Sequence, residues 1–194
     1  MRFCLSGWAL LGLLCMTTPT GLRAQAPPAA RAPRGAVVDP ALIDLAGYNK
    51  LLAKYRGKPL LVTFWATWCE PCRDEFPMVV ELAKQYAPQG LSVFGVSLDA
   101  NADMHVVRHF LADFRPVFLN YRQDPQIDVD EFYHGVNPNW EGSMPETIFY
   151  GRDGRIAVHF TAEQSRQRFE QAIHAILGTR SSSNRAASSP AAGG

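Results

Sequence analysis

Two cysteines separated by two residues, Cys69 and Cys72, end a run of β-formers and open a helical pattern, and that junction limits the fold more than any other feature. Residues 60–66 read LLVTFWA, a short continuous apolar run such as a strand buried on both faces carries. Residues 72–86 read as a helix, closed by Pro88 and Gly90. A sulfur at such a junction has defined chemistry. The first turn of a helix offers unpaired N–H groups and the positive end of the dipole, and both favour a thiolate. Cys69, at the mouth, is the expected attacking sulfur, with a pKa below the ordinary value of about 8.5. Cys72, one turn inward, is placed to attack a mixed disulfide and release the product. Pro71 suits the first turn, where the N–H it lacks would go unused.

Other readings of the pair are weaker. A static disulfide across so short a loop would add little loop-closure stability. A zinc site needs more ligands, and there is no second CxxC; the dithiol would itself carry the two electrons, so no metal and no organic cofactor is expected. The other two cysteines, Cys4 and Cys15, fall in residues 1–26, which have a basic start (Arg2), an uncharged apolar run over 3–16 and a small-x-small pattern at Ala24-Gln25-Ala26. That run of 14 residues is short of the roughly 20 needed to cross a bilayer as a helix. The segment reads as a cleavable export leader. Pro27 just after the cut disfavours cleavage, and the alternative is an uncleaved anchor that tethers the chain to a membrane. Leu14 before Cys15 is too bulky for the usual lipidation signal. The expected location is periplasmic or otherwise extracytoplasmic, where only Cys69 and Cys72 would remain after cleavage.

Residues 27–35 (PPAARAPRG) read as a flexible linker and residues 178–194 as a disordered tail, leaving one domain over 36–177. The whole chain has a formal charge of +1, but residues 36–178 hold 13 Lys and Arg against all 18 acidic residues, a net of −5. That excludes a basic nucleic-acid binder. Helical spacing appears over 45–55, 103–114 and 163–177, and strand patterns over 91–98, 146–150 and 155–160, with a short strand expected at 117–119. Gly151-Arg152-Asp153-Gly154 is a hairpin turn. The alternation demands parallel strands with crossover helices, ended by an antiparallel pair. The fold class is therefore α/β, a central mixed β-sheet flanked by helices on both faces. Residues 120–142 show weak periodicity and read as a long, functional connection.

The run FWATWCEPC resembles the thioredoxin-fold active site, and WCEPCRDEFP resembles the exported branch containing TlpA, ResA and DsbE. The resemblance spans roughly residues 36–177 and implies a thioredoxin-like fold and thiol–disulfide oxidoreductase activity. Pro77 stands where thioredoxins have a proline within the helix. Met144-Pro145 stands where the family carries a cis-proline loop facing the dithiol, so the Met144–Pro145 bond is expected to be cis, with the Met144 backbone free to pair with an extended client. Glu75 matches a glutamate that this branch places near its cysteines, and the expected role is to take the proton from Cys72. Trp68 is expected to cover Cys69 and contact clients. Trp140, just before the loop, is either a groove wall or a packing residue. The implied partners are protein disulfides or thiols, including apocytochrome c, together with a membrane thiol-reductant donor.

Two departures from thioredoxin matter. Thr63 occupies the position of the buried Asp on the strand before the dithiol, which makes Glu75 more necessary. Glu70 replaces Gly between the cysteines and should destabilise the Cys69 thiolate. A less stable thiolate is a stronger reductant, by the logic that separates DsbA (about −120 mV) from thioredoxin (about −270 mV). The reducing direction is therefore favoured over a DsbA- or DsbC-like oxidase or isomerase. A peroxiredoxin would need Pro-x-x-x-Thr-x-x-Cys, which neither cysteine has. A Cu(I) metallochaperone of this fold would carry a wider spacing and a dedicated His. His105 and His109 are at i, i+4 on one expected helix with no third ligand apparent.

Overall fold

The computed structural model describes residues 39–178. The expected leader over 1–26, the linker over 27–35 and all of the expected tail except Gly178 lie outside the described residues. The elements run β1 (Ala41–Ile43), α1 (Leu45–Tyr55), β2 (Leu60–Trp65), α2 (Glu70–Tyr86), β3 (Ser92–Ser97), α3 (Met104–Phe114), β4 (Leu119–Gln123), α4 (Val129–Val136), β5 (Glu146–Tyr150), β6 (Ile156–Phe160) and α5 (Arg166–Gly178).

The strands form one mixed sheet in the order β1-β4-β3-β2-β5-β6. The first four run parallel to one another; β5 is antiparallel to both β2 and β6. Every residue of β2 is buried, as its uninterrupted apolar run requires. Alternate β2 residues then face two different cores. Leu60, Val62 and Phe64 pack with Tyr48 of α1 and Phe132 and Val136 of α4. Leu61 faces α2 and α5, and Trp65 faces α2 and α3. The expected α/β architecture with helices on both faces is the one observed.

Local chemistry explains the element ends. Asp44 accepts the Gly47 N–H at 2.6 Å and caps α1, and Gly57, at φ +86°, turns the chain away toward β2. The β5–β6 hairpin closes through Gly154 N–H to Gly151 O at 2.9 Å. Trp65 stacks on Phe110 with ring centres 4.7 Å apart, and Phe76 meets both rings, which fixes α2 and α3 to the end of β2. No helix among the described residues is long and apolar enough to cross a membrane.

Several expectations are corrected. No pattern in the sequence marks the edge strand β1. The strand expected at 117–119 begins instead at Leu119 and continues to Gln123, with Val117 left exposed. Residues 120–142 are not one long connection, because β4 fills their start and α4 their middle. Asp128 caps α4 by accepting the N–H groups of Asp130 and Glu131, both at 3.0 Å. Trp140 is fully buried, with ring centres 4.6 Å from Phe64 and 4.3 Å from Tyr133. Its indole N–H donates to Ser143 O at 2.8 Å, so it is a packing residue and not a groove wall.

Candidate active site

The site forms where β2 ends and α2 begins. Cys69 is the N-cap residue of α2, with extended backbone, and its Sγ accepts the Cys72 N–H at 3.2 Å. An orphan donor of the helix start is thereby aimed at the sulfur. Cys69 and Cys72 are joined in a disulfide. The pair is nearly sealed, at 6% and 2% exposure, whereas Trp68 beside it is 61% exposed. Trp68 therefore presents its indole to solvent next to the dithiol.

Glu75 lies one helical turn beyond Cys72 and is buried. Its Oε2 accepts the Gln164 N–H at 3.0 Å, and the Thr147 side chain bonds to it as well. Burial pushes its pKa from 4.5 up to about 7; Glu163 adds to the rise, and the bonds from Gln164 and Thr147 oppose it. Thr147 Oγ1 also lies 3.4 Å from Thr63 Oγ1. Thr63 and Glu75 thus belong to one buried polar set joined by Thr147.

The Met144–Pro145 bond is cis. Pro145 is buried, and Met144 packs against the cluster that contains Cys69, Cys72 and Trp65. Five of the six expected site residues, Cys69, Cys72, Trp68, Met144 and Pro145, are thus placed at or beside the end of β2. Glu75 extends the set along α2. Pro77 lies inside α2. His105 and His109 sit on α3, and no group of three or more His, Cys, Asp and Glu able to hold a metal occurs among the described residues.

Two buried acids escaped the sequence. Glu146 follows Pro145 and has no exposed surface. Its Oε1 lies 3.3 Å from Asn137 Nδ2 and 3.4 Å from His159 Nδ1, while Oε2 has no hydrogen-bond partner among the described residues. Burial raises its pKa to about 7, against the Asn137 bond. Asp99, also buried, ends a hydrogen-bond cluster on the dithiol turn. An acid inside or just after an apolar strand was the available signal for both.

The AhpC/TSA family profile matches residues 30–159 of this chain. The thiol–disulfide oxidoreductase ResA of Geobacillus thermodenitrificans (strain NG80-2) is 29% identical over 138 residues, spanning 70% of this chain and 72% of that protein. Among solved structures, a thiol:disulfide interchange protein DsbE from Chlorobium tepidum aligns with a TM-score of 0.55 and 28% identity, over 66% of this chain and 85% of that one. A secreted Mycobacterium tuberculosis disulfide oxidoreductase homologous to E. coli DsbE shares the fold, with a TM-score of 0.51 and 24% identity over 63% of this chain and 85% of that one. With more than half its length matched by the profile and a paired CxxC at the mouth of α2, the chain belongs to the thioredoxin-like AhpC/TSA family and is a thiol–disulfide oxidoreductase of its TlpA/ResA/DsbE-like kind.

Proposed function

We propose that this protein is exported and reduces disulfides of other exported proteins, those formed between apocytochrome c thiols among them, by exchange through Cys69 and Cys72. The observation that carries the reading is the Cys69–Cys72 disulfide at the start of α2, with buried Glu75 one turn further along. In the reduced protein, the Cys69 thiolate attacks one sulfur of a client disulfide. A Cys69–client bond forms and the second client sulfur leaves as a thiolate. Glu75, ionised, takes the proton from Cys72; the Cys72 thiolate attacks Cys69 Sγ and expels the first client sulfur. The client gains two electrons and ends as a dithiol, and the protein is left as the disulfide. An external dithiol, supplied by a membrane thiol transporter, restores it.

A pKa of about 7 suits Glu75 to this role, because both of its forms are populated near neutrality. Trp68, Met144 and Pro145 form the client-facing rim, with the Met144 backbone pairing to an extended client strand. Peroxide reduction, the other chemistry of the family, is disfavoured at the residue level: the positions three and seven before Cys69 are Ala66 and Val62, where the peroxide-attack pattern needs Thr and Pro.

Trapping tests the proposal. Cys72→Ala leaves Cys69 unable to be resolved, so clients accumulate as mixed disulfides that mass spectrometry identifies on the Cys69 peptide. Exported proteins with paired cysteines are expected. Failure to trap any protein through Cys69 counts against the reading.

A further inference from the structure

Asp99 lies two residues beyond β3 and is 2% exposed. The exchange chemistry above makes no use of it, yet its carboxylate is heavily bonded. The Thr67 N–H lies 3.0 Å from Oδ1 and 3.1 Å from Oδ2. The Thr67 hydroxyl donates to Oδ1, and the Ser97 hydroxyl donates to Oδ2 at 2.7 Å. Ser97 Oγ in turn accepts the Asp99 N–H at 3.1 Å. Arg122, itself buried, braces the same stretch by donating to the Asp99 carbonyl at 3.4 Å and to Asn101 Oδ1 at 2.7 Å.

A buried carboxylate is tolerated only where its oxygens are used. Here two of the three donors come from one residue, and that residue is Thr67, two before Cys69. Thr67 sits in the turn 66–69 that joins β2 to α2. Within that turn the Cys69 N–H bonds back to Ala66 O at 3.2 Å. Just before it, Trp65 O accepts the Leu98 N–H at 2.9 Å. The end of β3 therefore holds the turn at its entry and again at its centre, and the turn presents Cys69 Sγ to the Cys72 N–H.

We propose that Asp99 is a positioning residue for the dithiol: through Thr67 it fixes the 66–69 turn and so keeps the Cys69 sulfur on the N–H at the mouth of α2. The proposal rests on the exchange reading above. A looser turn gains backbone freedom. The thiolate then spends less time on that N–H and is less stabilised by it. Removing the Asp99 charge would by itself act in the opposite direction on Cys69. Variants of Thr67 separate the two effects, because they leave the charge in place.

The test uses the full-length chain carrying Cys72→Ala, with alkylation of Cys69 followed on its own peptide by mass spectrometry across pH. Thr67→Val removes the hydroxyl bond to Asp99, and the midpoint of the profile is expected to rise by about half a pH unit. Thr67→Ser restores the hydroxyl and the parental profile. In Asp99→Asn, amide exchange at Thr67 is expected to quicken about tenfold, the scale of one hydrogen bond to a charged group, while β3 amides stay protected. Superimposable profiles for Thr67→Val, Thr67→Ser and the parent would overturn the proposal, as would unchanged exchange at Thr67 in Asp99→Asn. If Asp99→Asn does not fold, the Thr67 pair decides alone. Failure of the parent to form mixed disulfides with proteins would overturn the exchange reading instead, and the pH profile would still report on the turn.

Discussion

Replacing Glu75 with Gln separates the chemical and structural roles of this buried acid. The amide keeps the shape of the carboxylate and can still accept the Gln164 N–H now held at 3.0 Å. What it loses is the ionisation, whose midpoint burial moves from 4.5 to about 7. Between those values the folded protein keeps a proton that the unfolded chain has released. Folding stability therefore falls as pH rises from 4.5 through 7, by up to about 1.4 kcal/mol per pH unit, or roughly 3 kcal/mol across the window. Glu75→Gln lacks that slope and is expected to be more stable than the parent by about 2–3 kcal/mol at pH 8, with little difference at pH 4.5. The functional effect is opposite in sign. Without the base, release of a client from Cys69 by Cys72 should slow by roughly a hundredfold near neutrality. Its pH midpoint should move from about 7 toward the ordinary thiol value of about 8.5. The assay preforms a Cys69–peptide disulfide and follows peptide release by rapid quench from pH 5 to 9, beside urea melts at the same pH values. Equal release rates and a shared midpoint for parent and variant would refute the base assignment. A parental stability that does not fall between pH 5 and 7 would refute the burial argument beneath it.

Other perturbations test other parts of the account. Trp140→Ala empties a fully buried site between Phe64 and Tyr133 and should cost about 3–5 kcal/mol in denaturant melts. Trp68→Ala, at a 61% exposed position, should change stability by less than about 0.5 kcal/mol while slowing exchange with protein disulfides more than with small ones. Glu146→Gln removes a second buried acid whose pKa is raised to about 7; its stabilising effect should be absent at pH 4.5 and grow to about 1–3 kcal/mol by pH 8 in parallel melts.

The sequence was most legible where one local signal sufficed. The expected and observed bounds of α1 agree because apolar spacing runs into Gly57 and Pro59, and those of β5 agree because its apolar run ends at a glycine turn. The dithiol stood out because its strand–CxxC–helix context is local. The elements missed depend on partners distant in the chain. β1 is three residues long and exists by pairing with β4. In β4, Arg122 and Gln123 look like surface residues, but they are buried by bonds to Asn101 Oδ1 and to the carbonyls of Asp99, Asp124 and Ile127. At eight residues, α4 is too short for a period to be counted, although Asp128 followed by Glu131 three residues on was a readable start signal. Asp99 and Glu146 stand out only as acids bordering apolar strands; the residues they bond to, Thr67 and Asn137 among them, are brought to them by the fold. Their burial comes from the packing of strands onto helices.

The most direct test of the central claim is the midpoint potential of the Cys69–Cys72 couple, measured by equilibration with dithiol buffers and quantified on the peptide that contains both cysteines. A protein that reduces its clients should lie near thioredoxin, at about −270 mV. A value above about −180 mV, in the range of disulfide isomerases and oxidants, would contradict the account.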